Sequence, residues 1–172
     1  MNTLESIEVA GKGSFKDLYI LLKPRVMWLA VFTAAVGMII APVQNNLFLS
    51  LIILMCISIG AGAAGVLNMW WDKELDNVMQ RTSGRPLPNE KISSDDAFVF
   101  GVSLSIFSVM FLGLVSNWLA AFFLASTIFF YLVIYSMLLK KTTPQNIVIG
   151  GAAGAMPPLI GWVASAGTLS LE

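Results

Sequence analysis

The residues best suited to chemistry lie in a short polar stretch that follows a long apolar run. The stretch from Asn68 to Asp76 reads N-M-W-W-D-K-E-L-D, and the preceding run, Leu47–Leu67, contains no charged residue. Asn68, Asp72 and Asp76 recur at four-residue steps, so on a helix they share one face. We call these three residues the acidic stripe.

Oxygen ligands without histidine or thiol favour a hard divalent cation at the acidic stripe. The chain contains no His, and carboxylate and amide oxygens suit Mg²⁺ or Ca²⁺. The plainer interpretation is a solvated helix end, on which Glu74 is expected to face water. However, acids at a helix C-terminus oppose the helix dipole, and Trp70 and Trp71 hold the segment near a membrane interface. The stripe therefore predicts a divalent-cation site, suited to Mg²⁺ or Ca²⁺.

Two arginines follow the acidic stripe in the string M-Q-R-T-S-G-R-P-L-P. Acids close to arginines fit a diphosphate, because a metal bridges the carboxylates to the diphosphate while the guanidinium groups bind its free oxygens. Gly84 and the following prolines mark a turn that folds Arg81 and Arg85 back over the acids. The alternative is that both arginines only set membrane topology.

A diphosphate at a membrane surface indicates an isoprenyl diphosphate, whose carbocation needs a dry pocket with electron-rich faces. Aromatic side chains that could supply such faces are Trp28, Trp70, Trp71, Tyr131 and Tyr135. For each of them, packing or interfacial anchoring is the alternative role.

The composition indicates a membrane protein that positions these residues on helices. Of the 172 residues, 57% are hydrophobic and only 12% are charged, whereas soluble domains are about a quarter charged. Five apolar segments approach the roughly 20 residues that span a bilayer, and none alternates as barrel strands do. We predict an all-α, multi-pass transmembrane helix bundle with spans at Val26–Val43, Leu47–Leu67, Ala97–Val115, Trp118–Leu139 and Ile147–Ala166.

The distribution of charge along the chain predicts its orientation. The segment 1–23, the loop 68–96 and the loop beginning at Lys140–Lys141 carry most of the Lys and Arg, so the positive-inside rule places all three in the cytoplasm. The start of the chain lacks an Arg- and Ser-rich transit peptide, which favours a bacterial inner membrane. The net charge of zero gives no reason to expect nucleic acid as a partner.

The fifth apolar segment is rich in small residues. Gly150 and Gly154 have the spacing of a close helix-packing face. The string Met156-Pro157-Pro158 is expected to break this helix, as happens where a membrane helix lines a cavity.

Three strings together resemble a known family. They are N-M-W-W-D-K-E-L-D-N-V-M-Q-R-T-S-G-R-P-L-P from Asn68, L-L-K-P-R-V-M at Leu21–Met27 and K-K-T-T-P-Q-N-I-V-I-G-G-A-A-G-A-M-P-P-L-I-G-W at Lys140–Trp162. They are similar to strings of the UbiA-type intramembrane prenyltransferases and, within these, of the protohaem IX farnesyltransferases. The resemblance runs from about Leu18 to the end. It implies a bundle of nine transmembrane helices, five of them visible here in a prenyltransferase domain at 24–172.

The resemblance also implies a reaction. Its members transfer the farnesyl group of farnesyl diphosphate to the 2-vinyl group of haem B, which gives haem O for terminal oxidases. The acidic stripe would then be the catalytic Mg²⁺–diphosphate motif, and Arg81 and Arg85 would support the diphosphate or a haem propionate. Lys23 and Arg25 are further expected substrate-binding residues, although the positive-inside rule explains them equally well. A link to haem A synthase or to terminal oxidase assembly is expected as well.

The chain departs from the family's pattern in one respect. The second aspartate motif of the family lies after the fifth span and does not occur in these 172 residues. We therefore expect an N-terminal part of the enzyme that is inactive alone.

Other functions remain open at this point. The nearest is a UbiA-type enzyme with a quinone-precursor or another tetrapyrrole acceptor. A different class is a divalent-cation channel or transporter half, which would place Asp72 and Asp76 near the middle of the bilayer. A non-catalytic membrane remnant is a third.

Overall fold

The computed structural model of the protein describes residues 13–43, 45–140, 142–143 and 145–169, and all regular secondary structure within these ranges is helical. The predicted all-α class is therefore confirmed. The helices are, in chain order, α1 (Phe15–Leu21), α2 (Pro24–Ile40), α3 (Leu47–Trp71), α4 (Lys73–Val78), α5 (Ser94–Val115), α6 (Trp118–Phe129), a π-helix (Phe130–Leu139) and α7 (Asn146–Ala166).

The long helices match the predicted spans closely. Four of them are long and apolar enough to cross a membrane: α3, α5, α7 and the continuous helix Trp118–Leu139. The fifth predicted span corresponds to α2, which has 17 residues and reaches spanning length together with α1, from which it is bent by 55°. The described residues therefore form a multi-pass membrane bundle of four or five spans.

Side-chain caps explain where three of these helices begin. The Asn46 side chain accepts a hydrogen bond from the amide of Leu49 at 2.8 Å, at the start of α3. Ser93 and Asn117 cap α5 and α6 in the same way. Each cap satisfies an amide that would otherwise have no partner at a helix N-terminus.

Helix α3 lies at the centre of the bundle and contacts every other helix. Its buried residues form the main core with side chains of α2, α5, α6 and α7, among them Ile53, Ile57, Leu112, Leu124 and Ile160. Because α3 ends in the acidic stripe, this packing fixes the position of the stripe relative to all other helices.

Helices α2 and α7 pack with their backbones in direct contact. A Cβ atom at Gly37 would collide with the backbone carbonyl of Pro158, and one at Gly161 would collide with the carbonyl of Ala34. Small residues permit such close approach in membrane bundles. The predicted packing face is used in part against another helix: a Cβ at Gly150 would collide with the ring of Tyr135 in the fourth span, whereas one at Gly154 would meet no atom within 4 Å.

The expected break at Pro157 and Pro158 is wrong, because α7 is continuous from Asn146 to Ala166. Proline removes one helical hydrogen bond, but membrane helices tolerate it where neighbouring helices support the freed backbone. In this structure α7 packs directly against α2, with the carbonyl of Pro158 close to Gly37.

The C-terminal half of the fourth span is a π-helix of ten residues, Phe130–Leu139. At its end the amide of Lys140 donates to the carbonyl of Tyr135 at 3.0 Å, five residues back. π-Helical turns are rare and concentrate at functional sites. This one packs against α3, α6 and α7.

Candidate active site

The acidic stripe has the geometry that its spacing predicts. Helical hydrogen bonds run from the amide of Asp72 to the carbonyl of Asn68 (3.0 Å) and from the amide of Asp76 to the carbonyl of Asp72 (2.8 Å), so the three residues stay aligned across the junction of α3 and α4. They are buried, with exposed fractions of 4%, 3% and 3%. Glu74 is exposed, as expected. A solvated helix end does not describe this stripe.

Each residue of the stripe contacts a basic side chain from a different part of the chain. The guanidinium of Arg85 lies 2.6 Å from the carboxylate of Asp76. The ammonium of Lys140, at the end of the π-helix, lies 2.5 Å from Asp72. The ammonium of Lys23, between α1 and α2, donates to the side-chain oxygen of Asn68. Buried carboxylates need such partners, because an unpaired charge away from water is costly.

The Asn68 amide is fixed by its neighbours. Its nitrogen donates to Asp72 at 2.9 Å and to the hydroxyl oxygen of Ser136 at 2.8 Å. Ser136 donates in turn to the carbonyl of Tyr131 at 2.8 Å. The π-helix thus contacts the stripe at two points, through Ser136 and through Lys140.

The loop after α4 folds back over the stripe, as the turn residues predict. The buried hydroxyl of Thr82 donates to the carbonyl of Asp76 at 3.1 Å. The amide of Arg85 donates to the carbonyl of Thr82 at 3.0 Å, which turns the Arg85 side chain toward Asp76. Leu87, fully buried, packs among side chains of α1, α3 and α5 and anchors the loop.

Lys23 reaches the site because the chain bends sharply between α1 and α2. Its backbone is left-handed, with φ of 53° and ψ of 64°, a conformation that costs a non-glycine residue about 1–2 kcal/mol. Gly65 of α3 faces this bend, and a Cβ there would lie 3.3 Å from the carbonyl of Leu22.

The donor set fits one Mg²⁺ ion. Among the described residues, Oδ1 of Asp72 is the one buried polar side-chain atom that has no hydrogen-bond partner. No group of three acidic, His or Cys side chains converges within the described ranges. Mg²⁺ needs no such group, since it commonly takes one or two carboxylates and completes its shell with water and phosphate oxygens.

An apolar cavity of about 240 Å³ lies between α2, α3, the fourth span and α7. Tyr131 connects this cavity to the stripe through Ser136. Its side chain lines the cavity, and its carbonyl accepts the hydrogen bond from Ser136, which contacts Asn68. Tyr131 also stacks on Tyr135, with ring centres 5.3 Å apart. The other lining residues are mostly small or aliphatic, among them Ala30, Ala61, Ala64, Ala153 and Gly154.

The structure brings only part of the predicted set together. Lys23 and Arg85 contact the stripe, whereas the side chains of Arg25 and Arg81 are exposed and make no hydrogen bond or ion pair with the described residues. Of the aromatic candidates, Tyr131 lines the cavity, while Trp28 is 72% exposed on the outer surface. Lys140 also belongs to the site, although its place in the sequence predicts only a role in membrane topology.

Comparison with known proteins identifies relatives over nearly the whole chain. A model described as the UbiA prenyltransferase family matches residues 30–172. Protoheme IX farnesyltransferase of Bartonella henselae is 56% identical over 167 residues, which cover 97% of this chain and 54% of that protein. The proteins of the same name in Dinoroseobacter shibae and Sinorhizobium fredii are also 56% identical, over 97% and 98% of this chain and 53% of each relative.

The chain therefore spans about half the length of the curated relatives that it matches. No solved structure matches it.

Proposed function

Because this chain belongs to the UbiA prenyltransferase family, we propose that it is the N-terminal part of a protohaem IX farnesyltransferase. The full-length protein would transfer the farnesyl group of farnesyl diphosphate to the 2-vinyl group of haem B, with release of diphosphate. Water would then add to the resulting cation and lose a proton, which gives the hydroxyethylfarnesyl side chain of haem O. Residues 24–172 would belong to the prenyltransferase domain, with the loop 68–96 at its active site. The main support for this proposal is the acidic stripe, which is buried, contacts basic side chains and lies near an apolar cavity.

The polar end of the site is suited to a diphosphate. Asp72 and Asp76, with Asn68, would hold Mg²⁺, which when bound neutralises the charge that develops on the leaving diphosphate. The guanidinium of Arg85 lies beside Asp76, so it can bind free diphosphate oxygens as a planar fork. The ammonium of Lys23, from the bend between α1 and α2, adds a second positive charge.

The apolar end of the site is suited to an isoprenoid. Tyr131 lines the cavity and is connected to the stripe through Ser136, and the small side chains of the cavity leave room for a prenyl chain. The aromatic ring of Tyr131 would face the allylic carbon as its bond to oxygen breaks, and an aromatic face stabilises positive charge. Exclusion of water from this cavity protects the reactive group from hydrolysis.

The name of the relatives supports haem as the acceptor. A cation channel is disfavoured by geometry. Asp72 and Asp76 lie where α3 meets the short helix α4, each with a basic partner that repels a passing cation. We also propose that this end of the bundle faces the cytoplasm of a bacterial cell, with the protein in the inner membrane.

Arg85→Lys tests the diphosphate contact. We expect the KM for farnesyl diphosphate in the full-length protein to rise about tenfold, equivalent to about 1.4 kcal/mol, because lysine cannot form the two-pronged contact of a guanidinium. Turnover at saturating substrate should change much less. Steady-state kinetics at varied farnesyl diphosphate measures both quantities.

Arg81→Lys provides the matched comparison. Arg81 is exposed and lies outside the described contacts of the stripe, so this variant should show a much smaller change in KM than Arg85→Lys. An unchanged affinity for farnesyl diphosphate in Arg85→Lys would remove Arg85 from the diphosphate site.

A further inference from the structure

Lys140 lies against Asp72 although the two residues are 68 positions apart in the chain. Its ammonium donates to the Oδ2 atom of Asp72 at 2.5 Å, the same oxygen that accepts from Asn68 at 2.9 Å. The Oδ1 atom of Asp72 is buried and has no partner. Lys140 therefore neutralises Asp72 while one oxygen of the carboxylate stays available.

The π-helix determines where Lys140 lies. Its wider turn gives the Lys140 amide a partner five residues back, the carbonyl of Tyr135. Ser136, one turn earlier, contacts Asn68. The contact of Ser136 with Asn68 holds the end of the fourth span against α3, and the Lys140 side chain reaches Asp72 from there. Its own side chain is still 26% exposed, which leaves the ammonium a path toward solvent.

The Asp72 carboxylate cannot bind both the Lys140 ammonium and a divalent cation without a loss of affinity for one of them. Two positive charges held near one carboxylate repel each other, and burial strengthens that repulsion. An ammonium on a flexible four-carbon stem is able to move, unlike a helix-bound carboxylate. A diphosphate arriving beside the metal would offer the displaced ammonium new anionic oxygens.

We propose that Lys140 is a positioning residue that holds Asp72 when the metal is absent and moves to the diphosphate when metal and diphosphate bind. This inference rests on the proposed function, since it concerns the same diphosphate site. It implies that metal alone must displace Lys140 and binds weakly, whereas metal with diphosphate binds tightly. The two ligands are then positively coupled, and each strengthens the binding of the other by the same factor.

Binding of Mn²⁺ to the full-length protein in detergent tests this coupling without any turnover. Electron paramagnetic resonance of free Mn²⁺ gives the affinity with and without inorganic diphosphate. In Lys140→Met, Mn²⁺ alone should bind about tenfold more tightly than in the unaltered protein, and the gain from adding diphosphate should shrink by a similar factor. Lys140→Arg retains the charge and should keep the weak affinity for Mn²⁺ alone.

Lys91→Met is the matched control, because Lys91 pairs with Asp17 at 3.7 Å, away from the stripe. It should leave both affinities unchanged. If Lys140→Met is poorly folded, Lys140→Gln repeats the test with a neutral donor to Asp72. An affinity for Mn²⁺ alone that stays the same or falls in the neutral variants would overturn the role of Lys140. Failure of the unaltered protein to bind Mn²⁺ even with diphosphate would overturn the proposed function instead.

Discussion

Asp72→Asn is expected to lower turnover of the full-length protein by about 100- to 1,000-fold, which corresponds to about 3–4 kcal/mol of transition-state stabilisation. Asparagine keeps the size of the side chain and an oxygen that can accept from Lys140 and Asn68. It removes the negative charge and places an amide nitrogen where the unpartnered Oδ1 lies. The loss of turnover therefore reflects weaker metal binding and weaker stabilisation of the leaving group, whereas the packing around the side chain stays intact.

The effect should fall on turnover more than on haem affinity. An interaction that matters only as the leaving group departs lowers kcat and leaves the binding of the acceptor nearly unchanged. Steady-state kinetics at varied haem B, with haem O as the measured product, separates the two quantities.

Glu74→Gln is the matched control for this prediction. It makes the same change of carboxylate to amide two residues away, on the exposed side of α4. Its turnover should match that of the unaltered protein. Full turnover in Asp72→Asn would show that the metal site was assigned to the wrong residues.

Gly161→Ala is expected to destabilise the bundle by about 3 kcal/mol, at the upper end of the cost of overpacking. The new Cβ would collide with the carbonyl of Ala34, which is backbone and cannot rotate away as a side chain does. Helices α2 and α7 would have to move apart along their contact. Unfolding of the purified protein in mixed micelles with increasing SDS measures the loss.

Gly151→Ala makes the same substitution on the same helix. A Cβ at Gly151 would meet no atom within 4 Å, and alanine is a better helix former than glycine by about 1 kcal/mol. This variant should be as stable as the unaltered protein or slightly more so. Equal destabilisation by the two substitutions would show that the contact between α2 and α7 is not what sets the stability.

The sequence predicted those parts of the site that depend on local periodicity. Four-residue steps place Asn68, Asp72 and Asp76 on one face of any helix, and the structure has them aligned and buried. The turn after α4 was equally predictable from the sequence, but the positions of individual side chains on it were not. Arg85 reaches the stripe and Arg81 remains exposed, because the exact path of the loop depends on Thr82 and Leu87.

Lys140 shows why the rest of the site was not predictable. In the sequence it is one of several basic residues that flank apolar segments, and topology explains such residues well. Its contact with Asp72 depends on the π-helix and on the packing of the fourth span against α3. Neither has a signal in the residue pattern of Phe130–Leu139, which is apolar throughout most of its length.

The predicted helix break at Pro157 is wrong for a related reason. The rule that proline ends helices describes the local backbone, whereas α7 remains continuous and packs with Pro158 directly against Gly37 of α2. That glycine lies in another helix, more than a hundred residues earlier in the chain, so this contact has no local sequence signal.

The most direct test of the proposed function is the identity of the product. Membranes containing the full-length protein would be supplied with haem B, farnesyl diphosphate and Mg²⁺, and the extracted haems analysed by mass spectrometry, with Asp72→Asn membranes alongside. We predict haem O in a Mg²⁺-dependent amount that the Asp72→Asn membranes lack. Unchanged haem B, together with farnesylation of a quinone precursor or no consumption of farnesyl diphosphate, would contradict the assignment of haem as the acceptor.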